Sequence, residues 1–127
     1  MNTILLVDDE KTVLDSLKQQ LRGALGGRFY IEVAESVPEA WEVIEELNDG
    51  SALLAVIVSD WQMPEVKGDE FLRQVKAIHP HIRRILLTGQ ADADAVLRAV
   101  GDDAIQQVLY KPWRLDELRA AITGPRG

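Results

Sequence analysis

Five short apolar runs alternate along the chain with five stretches in which apolar residues recur every three or four positions. A run of four to eight apolar residues between turn-forming residues reads as a buried strand, and the wider spacing reads as a helix with one dry face. The runs cover residues 4–7, 29–34, 53–58, 82–87 and 105–110. The helical stripes are Val13, Leu14, Leu17, Leu21 and Leu25; Ala40, Trp41, Ile44 and Leu47; Phe71, Leu72, Val75 and Ile78; Val96, Leu97 and Val100; and Leu115, Leu118 and Ile122. The second run is aromatic and β-branched but holds Glu32, as expected of a strand with one side nearer solvent. Gly26 and Gly27 stop the first helix, Ser36-Val37-Pro38-Glu39 opens the second with a capping-box spacing, and His79-Pro80 ends the third. Asn48-Asp49-Gly50-Ser51 is a turn cluster, and the fourth helix stops near Gly101. Five strand–helix alternations joined by right-handed crossovers predict one α/β domain whose parallel sheet is covered on both faces. The domain is expected over residues 1–123, with residues 124–127, Gly-Pro-Arg-Gly, as an unstructured end or cut linker.

Composition narrows the classes. At 127 residues the chain is one domain with room for a real core. Fourteen basic and 21 acidic residues leave a net charge of −7, which argues against direct binding to nucleic acid or an anionic membrane. There is no cysteine, so disulfides, thiolate metal sites and cysteine nucleophiles are excluded. The amino terminus lacks a basic segment followed by an apolar core, and the longest apolar run, residues 52–58, is far too short to span a bilayer. The expectation is a soluble cytoplasmic protein.

Chemistry gathers at the strand ends. Asp8, Asp9 and Glu10 follow the first strand, Asp60 the third, Thr88 and Gly89 the fourth, and Lys111 the fifth. In open α/β sheets, ligands sit beyond the carboxyl ends of the strands. An isolated Asp after a strand would ordinarily be a loop cap; convergence with the other strand ends is what singles out Asp60. Carboxylates packed together repel, and a hard divalent cation relieves them, with Mg²⁺ favoured over Ca²⁺ because few protein carboxylates are available. A lysine and a hydroxyl opposite the metal, with the Gly89 amide open to close approach, complete a pocket for a doubly charged oxyanion. The combination suits phosphoryl transfer to a carboxylate. Trp41 reads as core packing, and His79 and His81, which flank Pro80, as a solvated turn rather than a metal site.

With Val7-Asp8-Asp9-Glu10, Asp60 with Met63-Pro64 and Gly68, Leu87-Thr88-Gly89 and Lys111-Pro112 in that order, the chain resembles the receiver domain of two-component response regulators over nearly its whole length. The resemblance implies a flavodoxin-like, doubly wound (βα)5 fold with strand order 2-1-3-4-5. It implies that Asp60 accepts phosphate from the phosphohistidine of a histidine kinase or phosphotransfer protein. Asp9, Asp60 and the Gln62 carbonyl would bind Mg²⁺ directly and Asp8 through water. Thr88 would be the switch hydroxyl, Lys111 the cation on the phosphoryl oxygen, and Gln62 and Gln90 the residues tuning acyl-phosphate lifetime. Such a domain is a switch, with at most slow self-phosphorylation and dephosphorylation, acting on an effector domain or protein or through a phosphorylation-dependent homodimer.

Two features depart from the family's pattern. Val108 stands where an inward-rotating Phe or Tyr is usual, and by strand alternation Tyr110 shares its side. Thr88 movement would then be sensed by Val108, by Tyr110 or by both. Arg114 lies at the start of the last helix, where the dipole disfavours a cation, partly offset by Asp116 and Glu117; with Arg98 it is a candidate for the partner face. Lys111-Pro112-Trp113 resembles receivers joined to larger effectors, so the chain is either a stand-alone receiver or one separated from its effector. Rival readings are a phosphohydrolase with Asp8 as nucleophile and Glu10 as its acid, a receiver degenerate in phosphorylation, and a flavin module. The acidic first loop would repel a flavin phosphate.

Overall fold

The computed structural model describes residues 2–47, 53–89 and 93–124. Strands and helices alternate as β1 (Asn2–Val7), α1 (Lys11–Leu25), β2 (Phe29–Ala34), α2 (Val37–Leu47), β3 (Leu53–Asp60), α3 (Gly68–Ile78), β4 (Arg83–Thr88), α4 (Ala93–Gly101), β5 (Gln107–Tyr110) and α5 (Leu115–Thr123). The five strands form one parallel sheet in the order β2-β1-β3-β4-β5. Successive strand side chains face opposite ways, so each central strand feeds two cores. Leu5, Val7, Ile57 and Leu86 pack under α2, α3 and α4, whereas Ile4, Leu6, Val58, Ile85, Leu87 and Leu109 pack under α1 and α5. On the edge strand β2, residues 29–33 alternate between half-buried and exposed positions, in keeping with Glu32.

Local chemistry sets several boundaries. Gly26 closes α1 at φ 62°, a left-handed conformation that glycine adopts without steric penalty, and its N–H bonds to the Arg22 carbonyl. The Ser36 hydroxyl accepts the Glu39 N–H at 3.1 Å, one half of the predicted capping box. The turn at residues 48–51 lies outside the described residues, as do Gln90 and residues 125–127.

Several expectations are corrected. Asp60 is the last residue of β3 rather than a loop residue, because the ladder continues past it through the Trp61 N–H to the Leu87 carbonyl at 3.0 Å. Strand β4 starts one residue late, at Arg83, and includes Thr88. Strand β5 starts only at Gln107; Ile105 is buried, but it lies in the connection from α4. Leu53 begins β3 exposed. On α4 the core side is Val96 and Ala99, while Leu97 is 68% and Val100 46% exposed. Val96 and Ala99, three positions apart, share the face of α4 that joins the core, a choice that hydrophobicity alone does not rank. Ile78 (63% exposed) and Leu115 (42%) likewise turn outward, leaving Leu118, Ala121 and Ile122 as the buried side of α5.

Strand β4 also carries a buried arginine that hydrophobic pattern cannot reveal. The Arg84 guanidinium donates to the carbonyls of Pro80 (3.1 Å), Ile82 (2.7 Å), Asp103 (2.9 Å) and Ala104 (2.8 Å). Its backbone N–H donates to Gln106 Oε1 at 2.7 Å and its carbonyl accepts the Gln106 N–H at 2.9 Å. The side chain thereby ties the start of β4 to the α4–β5 connection and fixes where β5 begins. Burial pulls its pKa down, opposed by the nearby charge of Asp103.

Candidate functional site

Register places the reactive residues. Val7 pairs with Ser59, so Asp8 emerges level with Asp60; Asp60 pairs with Leu87 and Thr88 with Tyr110, so Lys111 emerges beside them. Asp8 is held on both sides: its N–H bonds to the Ala34 carbonyl at 3.1 Å and its Oδ1 accepts the Glu10 N–H at 2.8 Å. Asp9, one residue on, is exposed.

The loop after Asp60 is wound tightly around it. The Trp61 carbonyl accepts the N–H groups of Met63 (3.0 Å) and Gly68 (2.9 Å), and Met63 is buried in the core. A Cβ on Gly68 would lie 2.1 Å from the Asp60 carbonyl oxygen and 2.9 Å from Trp61 Cα, so only glycine lets α3 begin there. Glu65, in the same loop, has a left-handed φ of 71°.

Lys111 stands between the two buried acids. Its N–H donates to the Thr88 carbonyl at 2.8 Å, and its Nζ lies 3.2 Å from Asp60 Oδ1 and 3.3 Å from Asp8 Oδ2. Burial raises the pKa of Asp60, opposed by Lys111 and reinforced by Asp9. Burial also raises that of Asp8, with the Asp60 charge adding to it, against the Glu10 N–H and Lys111. For Lys111 burial acts downward, but the charges of Asp60 and Asp8 outweigh it, and its pKa is raised.

Oxygens of Asp8, Asp9 and Asp60 all lie within 4.8 Å of one another, a group that could hold a metal ion. Beside them opens a cleft of about 730 Å³ lined by Asp9, Glu10, Asp60, Gln62, Met63, Pro64, Lys67, Gly89 and Lys111. Thr88 is fully buried, and its Oγ1 has no hydrogen-bond partner. A buried hydroxyl left unpaired in this way is costly unless a ligand or a movement satisfies it.

The structure thus brings together Asp8, Asp9, Asp60, Thr88, Gly89 and Lys111, with Gln62 on the rim. A Cβ at Gly89 would sit 3.9 Å from the Lys111 side chain, an ordinary contact, so the protein's own packing does not demand glycine there. Gln90 lies outside the described residues. Val108 is half-buried against the α3–α4 side of the core, whereas Tyr110 is 60% exposed. Arg98 and Arg114 are exposed and lie outside the cleft lining. Arg114 occupies the N-cap position of α5 and pairs with Asp116 at 3.3 Å, while Asp116 Oδ1 accepts the Glu117 N–H at 3.0 Å. His79 and His81 meet edge-on with ring centroids 6.0 Å apart, and no third ligand joins them in a metal-binding group among the described residues.

Three side chains escaped sequence reasoning. Trp61 Nε1 donates to Asp69 Oδ1 at 3.0 Å, and Lys67 Nζ lies 5.0 Å from the Trp61 ring centroid while donating to Gln62 Oε1 at 3.1 Å. The available signal was Lys67 itself, a cation just ahead of Gly68 where a capping residue is ordinary. Trp113 Nε1 donates to Gln20 Oε1 at 2.7 Å, tying the loop after Lys111 to α1.

Comparison with known proteins gives one consistent picture. The family model for the response regulator receiver domain matches residues 4–123. Among curated relatives, the hydrogenase transcriptional regulatory protein HoxA of Cupriavidus necator is 32% identical over 91% of this chain and 22% of its own length. The sensor kinase CckA of Brucella abortus is 36% identical over 94% of the chain and 12% of its own length. The chain therefore spans less than a quarter of either relative. A response regulator receiver domain protein from Clostridium thermocellum superposes with a TM-score of 0.84 at 32% identity, covering 97% of this chain and 92% of that one. The beryllofluoride-activated NtrC4 receiver domain dimer superposes with a TM-score of 0.82 at 27% identity, covering 97% and 94%.

Proposed function

Since the chain belongs to the response regulator receiver domain family, the phosphoacceptor switches of two-component signalling, we propose that Asp60 is its phosphoacceptor and that Thr88 and Lys111 complete the site. The observation that carries the reading is the pairing of a cleft-lining carboxylate, 3.2 Å from an ammonium, with a buried unpartnered hydroxyl one residue beyond its ladder partner Leu87. An oxygen of Asp60 attacks the phosphorus of a phosphohistidine on a kinase or phosphotransfer protein. The phosphorus–nitrogen bond breaks and the imidazole leaves. Lys111 holds positive charge at the Asp60 oxygen before transfer and stays to pair with the phosphoryl group afterwards. Thr88 Oγ1 gains in the phosphoryl oxygen the partner that it lacks. Asp9, Asp60 and the Gln62 carbonyl would hold Mg²⁺, with Asp8 assisting through water, and the ion when bound would supply neutralisation of phosphoryl charge. The acid trio fits such an ion, since mutual proximity and burial push the Asp8 and Asp60 pKa values upward and a cation relieves that strain.

The hydrolase alternative has less support. Asp8 has Oδ1 bonded to the Glu10 N–H and Oδ2 facing Lys111, and it does not line the cleft. The chain's own catalysis is confined to slow self-phosphorylation and dephosphorylation. Downstream, movement of Thr88 empties space beside half-buried Val108, while exposed Tyr110 registers the change at the rim, reshaping the surface of α4, β5 and α5 around Arg98 and Arg114. An effector or a second phosphorylated copy docks there. Amide hydrogen exchange should then change over residues 93–98 and 106–114 on phosphorylation, and a change confined to the Asp60 loop would count against the switch. For the acceptor itself, mass spectrometry after incubation with acetyl phosphate and Mg²⁺ should place one phosphoryl group on Asp60 and none in Asp60→Asn. Labelling of Asp8 instead would establish the hydrolase reading.

A further inference from the structure

The residue before α3 is Lys67, in the N-cap position (φ −66°, ψ 153°) with no side-chain cap. A helix start presents unsatisfied N–H groups and the positive end of the dipole, so Ser, Thr, Asp or Asn stabilises it and a cation does the opposite. The ammonium does not simply turn to water. It lies 5.0 Å from the Trp61 ring centroid and donates to Gln62 Oε1 at 3.1 Å, on the rim of the cleft that Asp60 lines. Trp61 is itself fixed by its indole N–H to Asp69 Oδ1 at 3.0 Å. These contacts form a brace: Asp69 orients Trp61, the Trp61 face and Gln62 seat Lys67, and Lys67 engages one end of the Gln62 carboxamide.

Which end is engaged matters. An ammonium has only donors, so it must meet Oε1, leaving the Nε2 donors for other partners. A carboxamide beside an acyl phosphate can act in two opposed ways. Through Oε1 it can accept a hydrogen bond from water and aim that water at phosphorus; through Nε2 it can donate to a phosphoryl oxygen. The ammonium takes one of the two lone pairs of Oε1 and draws its electron density, so Oε1 is a poorer acceptor for water and the first is weakened. We infer that Lys67 is a positioning residue that prolongs the life of the phosphorylated state by engaging Gln62 Oε1 and weakening it as an acceptor for the attacking water. The inference rests on Asp60 being the phosphoacceptor. In the step that it slows, a water oxygen bonds to phosphorus as the bond between phosphorus and the Asp60 oxygen breaks. Asp60 leaves as carboxylate, inorganic phosphate is released, and the surplus proton passes to solvent.

The test loads the chain with acetyl phosphate in Mg²⁺, removes the donor, and follows loss of phosphoaspartate. Wild type is compared with Lys67→Met, Lys67→Arg, Gln62→Leu and the double variant Lys67→Met/Gln62→Leu. Lys67→Met should lose phosphate about two- to tenfold faster, the rate ratio that follows from one such hydrogen bond. Lys67→Arg, which keeps a donor, should retain the slow rate, and Lys67→Met should have no effect in the Gln62→Leu background. An unchanged lifetime in Lys67→Met, or the same acceleration with Gln62 absent, overturns the inference while leaving Asp60 as acceptor. Absence of label on Asp60 in wild type overturns both. Lys67 is exposed and caps nothing, so these substitutions leave the fold intact, which melting curves of each variant verify.

Discussion

At the scale of single residues, the site keeps groups in states that folding alone would not choose. Asp8 and Asp60 are almost wholly buried, and burial raises both pKa values above the ordinary 3.8. The folded protein therefore holds these protons more tightly than the unfolded chain does. The stability this contributes is complete below the ordinary carboxylate value and is lost as pH rises through the raised values. At neutral pH, without divalent metal, both carboxylates are a burden that Lys111 only partly relieves. Asp60→Asn removes one of them. Its melting temperature should exceed that of wild type at pH 7, and the difference should shrink as pH falls toward the ordinary carboxylate pKa. Thermal melts across that range check it; a variant less stable than wild type at neutral pH would show that the Lys111 ion pair outweighs desolvation.

At the scale of elements, two junctions fix where the strands deliver their last residues. The β3–α3 junction depends on Gly68, whose missing Cβ leaves room for the Asp60 carbonyl. Gly68→Ala must push backbone against backbone, so it should cost about 1–3 kcal/mol or more in denaturant unfolding and also impair phosphorylation, because the displaced atom belongs to Asp60. The β4–β5 junction depends on Arg84. Arg84→Met would strip four carbonyls of their donor and should destabilise by about 3 kcal/mol or more, given roughly 1–3 kcal/mol for each buried group left unpaired. Arg73, whose partners Glu70 and Asp102 are exposed, supplies the contrast: Arg73→Ala should cost less than about 1 kcal/mol in the same assay.

At the scale of the whole molecule, the acid cluster joins the end of β1 to the end of β3, so an ion held there binds the folded state and not the unfolded chain. At a hundredfold excess over its dissociation constant, Mg²⁺ should add about 2.7 kcal/mol. The melting midpoint should rise in wild type and stay unchanged in Asp9→Asn; equal rises in both would remove Asp9 from the ligand set. A net charge of −7 disfavours nonspecific attraction of this chain to nucleic acid or an anionic membrane. No helix among the described residues is long and apolar enough to cross a bilayer.

Strand and helix order, the stops at Gly26 and His79-Pro80, the N-cap Ser36 and the acids, hydroxyl and lysine at the strand ends were all legible in the chain, because each depends on local periodicity or on a residue's own backbone preference. So was the family resemblance, carried by several short motifs in fixed order. What only tertiary structure decided depends on contacts between distant segments. Ala99, rather than Leu97, faces the core because it shares with Val96, three positions earlier, the side of α4 that packs inward, and β5 starts late because Arg84 holds the preceding turn. Thr88 Oγ1 is cut off from water and left without a partner by the packing around the end of β4, which no local pattern reveals. Lys67 meets Gln62 because the loop that Gly68 permits folds back over Asp60. Sequence determined which groups reach the end of the sheet; packing decided which of them are buried, paired or left waiting for a ligand.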